Sequence, residues 1–156
     1  MRAFIVTVSD TRTVETDASG DRLAELLIDA GATITGKLIV SDELEDLRNT
    51  LYVLTENEEV DLVITTGGTG LAPRDNTPEA TRSVIDREVP GLAEAMRSES
   101  LKYTKMAMLS RAVCGVRNNT LIINLPGSPK GVEECFDIIR PVLRHAVDLV
   151  AGRTNH

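Results

Sequence analysis

The sequence predicts a three-layer α/β/α fold whose sheet is mostly parallel, with a short antiparallel extension. Apolar patterns of strand and helix type alternate as βαβαβ from Phe4 to Thr65, two apolar runs flank Asn118-Asn119, and a glycine-rich loop joins the third strand to a capped helix. Alternation of this kind sandwiches parallel strands between helices through right-handed crossovers. The loops that follow the strands then share one edge of the sheet.

Residues 4–8 alternate as a first strand, and a polar loop spans residues 9–17 at its carboxyl end. From Gly20 onward Leu23, Leu26, Leu27 and Ala30 keep helical spacing, with Ser19 as the N-cap and Gly31 as the stop. Residues 34–40 give a second strand. A second helix over 42–55 puts Leu44, Leu47, Leu51 and Leu54 on one face, and residues 61–65 form the β-branched run of an interior strand. Beyond the glycine loop, Thr77-Pro78-Glu79 offers an N-cap, a first-turn proline and an early acid, so a helix starts there. That helix covers 78–86 and another covers 91–101, the two broken near Val89-Pro90, while residues 103–109 fit neither period. Residues 112–117 and 120–125 flank Asn118-Asn119, whose tolerance of positive φ suits a tight hairpin turn. Ser128-Pro129 repeats the cap-and-proline arrangement and opens a helix with Val132, Cys135, Phe136 and Ile139 inward, which continues over 141–151 after a kink.

At 156 residues and 42% hydrophobic content, the chain reads as one domain over residues 1–156, able to bury a core without disulfides or a metal staple. A net charge of -7 with scattered Lys and Arg argues against a nucleic-acid partner, since such binders carry a basic stripe. Cys114 and Cys135 lie too far apart for a CxxC motif and among apolar neighbours, which reads as two reduced core thiols of a cytosolic protein. The stretch from Met1 to Val6 enters a strand rather than a signal region, and no apolar run approaches the ~18 residues of a membrane span. A cytoplasmic location without a membrane partner is expected.

Residues 60–81, VDLVITTGGTGLAPRDNTPEAT, hold the strongest functional signal. A glycine-rich turn after a buried strand lets backbone N–H groups approach an anion, because no Cβ blocks the way and positive φ costs little. Gly67, Gly68 and Gly70 supply that freedom, and Thr66 and Thr69 add hydroxyl donors. The loop matches neither GxxxxGK(S/T) nor GxGxxG, so a purely structural turn stands beside the phosphate-site reading. Asp75, next to Arg74 and just before a helix, either caps or pairs locally or holds Mg2+ against phosphates in the loop. Asp42 follows the second strand as Asp75 follows the third, so both acids reach the same rim; Asp42 also fits as the N-cap of its helix. Ser9 and Asp10 present the same choice after the first strand. Pro126, Gly127 and Ser128 close the next strand-to-helix junction, giving backbone donors and a hydroxyl at a positive helix end. Lys130 either meets a ligand phosphate or is solvated, and Ser110-Arg111 either presents a guanidinium to phosphate or pairs with a surface acid.

His145 lies in an apolar helical stretch and His156 ends the sequence, so neither Ser-His-Asp catalysis nor a His-based zinc site has its parts. A reaction run by positioning and charge neutralisation fits best, and phosphoryl or nucleotidyl transfer is of that kind. An acidic chain binds polyphosphate through carboxylates only with a divalent cation between them, which makes Mg2+ the requirement of a nucleotide reading.

TTGGTGLAPRDNTPEAT, taken with Val6-Thr7-Val8-Ser9-Asp10, Asp17-Ala18-Ser19-Gly20, Ile39-Val40-Ser41-Asp42-Glu43, Ala107-Met108-Leu109-Ser110-Arg111 and Asn124-Leu125-Pro126-Gly127-Ser128-Pro129, resembles the Mog/MoaB family of molybdenum cofactor biosynthesis. The resemblance covers nearly the whole chain and extends to gephyrin-type G domains. It implies a molybdopterin-binding-like α/β/α domain that commonly assembles as a homotrimer. The implied activity is adenylylation of molybdopterin by ATP with Mg2+, giving adenylylated molybdopterin and pyrophosphate. By the resemblance, Asp42 and Asp75 match the essential acids that place the metal, and residues 66–70 match the phosphate-binding loop. Ser110, Arg111, Pro126, Gly127 and Ser128 fall on segments lining the same cleft. The short acidic loop over 11–17 resembles MoaB-type members more than Mog-type ones. An alternative therefore accompanies the resemblance: a non-catalytic molybdopterin-binding or carrier protein of the MoaB type.

Overall fold

A computed structural model describes residues 1–153; His156 lies outside the described residues. The chain runs β1 (Arg2–Val8), α1 (Ala18–Asp29), β2 (Thr33–Val40), α2 (Leu44–Glu56), β3 (Leu62–Thr66), α3 (Thr77–Val84), β4 (Arg87–Glu88), α4 (Pro90–Ser100), β5 (Cys114–Arg117), β6 (Thr120–Leu125) and α5 (Pro129–Val150). The strands form one sheet in the order β2-β1-β3-β6-β5-β4. Strands β2, β1, β3 and β6 are parallel, β5 returns antiparallel to β6, and β4 pairs antiparallel with β5. This is the three-layer arrangement, with its antiparallel extension, that the sequence predicts.

Period-two alternation divides the interior strands between two cores. Ile5, Leu62, Ile64, Leu121 and Ile123 pack with Leu23, Leu27, Met96, Phe136 and Ile139 of α1, α4 and α5. Val6, Val63 and Ile122 pack with Leu47, Leu51, Ala80 and Val84 of α2 and α3. Every position of β3 and β6 is buried, as strands covered on both faces require. Each fully buried Leu, Ile or Phe contributes about 1.5–3 kcal/mol against at most about 1 kcal/mol for an exposed ion pair, so the two apolar layers hold the sheet.

Several local details differ from the sequence reading. Asp17, not Ser19, caps α1, because its carboxylate accepts both from Gly20 N at 3.0 Å and from Thr7 Oγ1 of β1 at 2.8 Å. Ser19 is buried within the first turn. Helix α2 starts at Leu44, which leaves that residue 37% exposed at the helix entrance while Leu47, Leu51 and Leu54 face inward. Helix α3 stops at Val84 instead of Asp86, since the chain must be extended before Pro90 and Arg87–Glu88 use that stretch to pair with β5. Residues 105–109 form a short 3-10 helix, whose tighter period explains their failure to fit either pattern. Asn118 takes φ 50° in the hairpin as expected, and α5 continues for 22 residues through Pro141.

Candidate functional site

Parallel pairing puts the carboxyl ends of β2, β1, β3 and β6 on one edge, and antiparallel β5 begins there. Topology alone therefore gathers the loops around Asp10, Asp42, residues 67–76, Ser110-Arg111 and Pro126-Gly127-Ser128 on a single rim.

The glycine loop forms the middle of that rim. Gly67 and Gly68 have φ of 102° and 64°, conformations that a Cβ disfavours. A Cβ on Gly67 would also meet Val8 O at 2.5 Å, and one on Gly68 would run into Thr77 Oγ1. Thr77 clamps the turn: its hydroxyl donates to Gly67 O at 2.8 Å and its N–H to Gly68 O at 3.1 Å. It is thus the first residue of α3 rather than its cap, and Asn76 occupies the cap position without a side-chain cap bond. Thr66 Oγ1 donates to Pro126 O at 2.8 Å and Gly67 N to Leu125 O at 3.1 Å, so the turns after β3 and β6 are bonded to each other. Gly127 packs so tightly that a Cβ there would lie 3.3 Å from Gly67 Cα.

On the β1–β2 flank stand the acids. Asp10 N donates to Asp42 Oδ2 at 2.9 Å, and Asp42 N donates to Asp10 Oδ1 at 3.0 Å. Asp42 consequently does not cap α2, where position 43 fills that place without a side-chain bond. Arg74 donates to Asp10 Oδ2 at 2.7 Å and to Glu43 Oε1 at 2.8 Å rather than to its neighbour Asp75. Asp75 Oδ2 accepts from Ala72 N at 2.9 Å and closes the turn. Asn76 Nδ2 donates to Asp42 O at 2.9 Å, tying the two acid-bearing loops together. Burial pushes the Asp42 carboxyl above its ordinary value, and the Asp10 and Asp75 charges push the same way, against the Asp10 N–H and Arg74. Asp42 and Asp75 thus lie within electrostatic reach of each other. The Arg74 hydrogen bond, with the Asp42 N–H, holds Asp10 below the usual carboxylate range.

Asp42 Oδ1 and Asp75 Oδ1 take no part in these bonds. Two carboxylates completed by phosphate oxygens and water are a donor set that Mg2+ accepts, so the residues fit a metal shared with a phosphate ligand. Among the described residues no three His, Cys, Asp or Glu side chains group to hold a metal by themselves.

On the opposite flank a mainly apolar cavity of about 450 Å³ opens between α4, the 105–109 turn and the start of α5. Thr69, Ser110, Pro126 and Ser128 line it on the loop side, and Met96 and Cys135 on the core side. Ser128 caps α5 as the sequence predicts, accepting from Gly131 N at 3.1 Å. Arg111 is turned onto the glycine loop: its N–H donates to Thr69 O at 2.9 Å, Nε to Gly70 O at 2.7 Å and Nη2 to Asp75 O at 2.6 Å, while Nη1 pairs with Glu79. It is a strut that shapes the loop. Lys130 stays exposed and pairs with Glu134 at 3.7 Å. Burial pushes the Cys114 thiol up to about 12 and raises that of Cys135, so both remain protonated core thiols, as read from the sequence.

Three contributors escape the sequence reading: Asn76 and Thr77 as clamps, and Arg12, whose Nη2 donates to Gly127 O at 2.7 Å across 115 positions of chain. No local pattern announces Arg12; only the strand order β1-β3-β6 brings those loops within reach.

An open α/β sheet whose carboxyl rim carries a glycine turn, flanking acids and an apolar cavity places the chain in the class of α/β domains that gather their functional loops at the strand ends. Residues 4–145 match the family model described as a probable molybdopterin binding domain. The molybdenum cofactor synthesis protein cinnamon of Drosophila melanogaster is 45% identical over 94% of this chain, which spans only 25% of that protein. A molybdopterin adenylyltransferase of Helicobacter pylori is 48% identical over 73% of this chain and 65% of its own length, just under two thirds. Molybdenum cofactor biosynthesis protein B of Halalkalibacterium halodurans is 40% identical over 94% of this chain and 88% of its own. Among solved structures, the molybdopterin biosynthesis enzyme MoaB of Thermus thermophilus superposes with a TM-score of 0.89 at 48% identity, covering 97% of this chain and 96% of that one. The chain belongs to the Mog/MoaB family of molybdenum cofactor biosynthesis.

Proposed function

We propose that the rim binds molybdopterin and that the chain serves the pathway as a molybdopterin-binding protein of the MoaB type. One observation carries this reading: a turn rich in backbone N–H groups lies directly beside an apolar cavity of about 450 Å³. Molybdopterin joins a fused-ring pterin to a terminal phosphate. The phosphate suits the amides of residues 68–70 and the Ser128 end of α5, and the ring suits the cavity. The relative from Halalkalibacterium, matched over 88% of its length, carries the B-type name, whereas the one named an adenylyltransferase is matched over 65%.

A second reading, Mg2+-dependent adenylylation of molybdopterin by ATP, is favoured by the Asn76 bond to Asp42 O, which ties the Asp42 and Asp75 loops together beside the glycine turn. In it the terminal phosphate of molybdopterin attacks the α-phosphate of ATP and pyrophosphate leaves. Asp42 and Asp75 would hold Mg2+, whose chemistry is to offset charge on the phosphates. The chain's own part is positional: residues 68–70 offer amides to phosphate oxygens, and Arg111 keeps those amides in place. The homotrimer implied by the family accompanies both readings and is tested by sedimentation equilibrium.

Two measurements separate the readings. Fluorescence titration with molybdopterin is expected to show saturable binding, whose absence removes both. Pyrophosphate release from ATP with Mg2+ and molybdopterin present decides between them: no release leaves the binding protein, and release that needs molybdopterin and vanishes in a folded Asp75→Asn variant establishes the transferase.

A further inference from the structure

Three arginines brace the loops of the rim, and they differ in what balances their charge. Arg74 donates to two carboxylates, at 2.7 and 2.8 Å. Arg111 is occupied by Glu79 and by the carbonyls of Gly70 and Asp75. Arg12 instead donates to the neutral acceptors Ser19 Oγ and Gly127 O, and its ion-pair partner Asp17 stands at 3.8 Å. Asp17 is fully buried, accepts from Thr7 Oγ1 and Gly20 N, and is also approached by Lys37 at 3.6 Å. Of these three, Arg12 is the guanidinium that makes no hydrogen bond to a carboxylate, on a side chain 29% exposed.

Its position is fixed by the chain just before it. Ser9 Oγ accepts from Thr11 N at 3.2 Å and from Arg12 N at 3.1 Å, which turns the backbone sharply after β1. From that turn the guanidinium reaches Gly127 O, on the loop after β6. Strand β3 lies between β1 and β6, so the side chain spans the end of β3, where Gly67 packs against Gly127.

We propose that Arg12 is a phosphate-binding residue of this cleft, meeting the oxygens of a phosphate monoester or diphosphate that residues 68–70 and the start of α5 hold from either side. The proposal rests on reading the rim as the phosphate-bearing end of the molybdopterin site. A guanidinium held by neutral acceptors exchanges them for phosphate with a gain, because the new hydrogen bonds are charge-assisted and its planar fork matches phosphate oxygens.

Isothermal titration of the intact chain with inorganic pyrophosphate tests it, comparing wild type, Arg12→Ala and Arg12→Lys. Arg12→Ala is expected to bind at least about tenfold more weakly and with less salt dependence, and Arg12→Lys, which keeps the charge without the planar fork, to bind between the two and to keep the wild-type salt dependence. Weakening in Arg12→Ala with the salt dependence of wild type overturns the proposal, because it leaves only the strap to Gly127. Unchanged affinity in Arg12→Ala, or a wild type that takes up no pyrophosphate, overturns it as well. Molybdopterin titration in parallel separates the two levels. Wild type that binds molybdopterin while pyrophosphate uptake ignores Arg12 refutes the Arg12 role alone; Arg12-dependent pyrophosphate uptake without molybdopterin binding upholds the role and refutes the ligand.

Discussion

Two aspartates at opposite ends of the sheet, Asp61 and Asp42, are treated in opposite ways. At the amino end, Asp61 enters β3 nearly buried and accepts from Arg2 N, Arg2 Nε, Arg2 Nη2 and Arg153 Nη1 at 2.7 to 3.2 Å. Burial alone would raise its carboxyl, yet the Arg2 and Arg153 donors hold it far below the usual carboxylate range. At the carboxyl end, Asp42 is raised by burial and by Asp10, and the Asp10 N–H and Arg74 do not restore it. One carboxylate is balanced within the protein and stabilises it. The other is left short of positive charge.

The contrast predicts that the same substitution has different consequences at the two ends. Asp61→Asn leaves Arg2 and Arg153 without their anion and is expected to destabilise by about 3 kcal/mol, read as a lower urea midpoint at unchanged m-value. On the rim, Gly68→Ala combines left-handed strain with a clash at Thr77 and is expected to cost about 2 kcal/mol while also weakening molybdopterin uptake in a fluorescence titration. Wild-type stability should be full above the ordinary Asp value of 3.8 and fall as pH drops below it, because the folded carboxyl is depressed and the unfolded chain takes up the proton first. Urea midpoints at decreasing pH should show that acid limb flattened in Asp61→Asn. The smallest effect is expected of Asp42→Asn: an asparagine oxygen still accepts from Asp10 N, so stability should stay within about 0.5 kcal/mol of wild type or rise slightly. A loss as large as that of Asp61→Asn would break the comparison.

Much of this architecture was legible because it is written in short-range periodicity. The alternation through Thr65, the Asn118 hairpin and the Ser128-Pro129 helix start all rest on neighbours within a few positions, and the structure places them as read. The glycine turn was legible for the same reason. What sequence left open depends on distant partners. Asp17 displaces Ser19 as a cap because Thr7 is within reach, and Arg74 passes over adjacent Asp75 because Asp10 and Glu43 face it across the rim. Arg111, read as either a phosphate guanidinium or the partner of a surface acid, does pair with the acid Glu79, while its bonds to the Gly70 and Asp75 carbonyls depend on the folded loop. Arg12 depends on a contact across 115 positions, which no window of sequence contains.

Strand β6 lies beside β3, although 53 residues separate Leu62–Thr66 from Thr120–Leu125 in the chain. During synthesis β2, β1 and β3 therefore emerge with one flank of β3 unpaired, its five apolar or threonine positions offering open N–H and C=O groups to any neighbouring strand. That flank closes only when the hairpin carrying β6 has left the ribosome. Late closure of a central seam makes folding slow for the chain's length and leaves the half-made sheet open to mispairing, which a crowded translation site would aggravate.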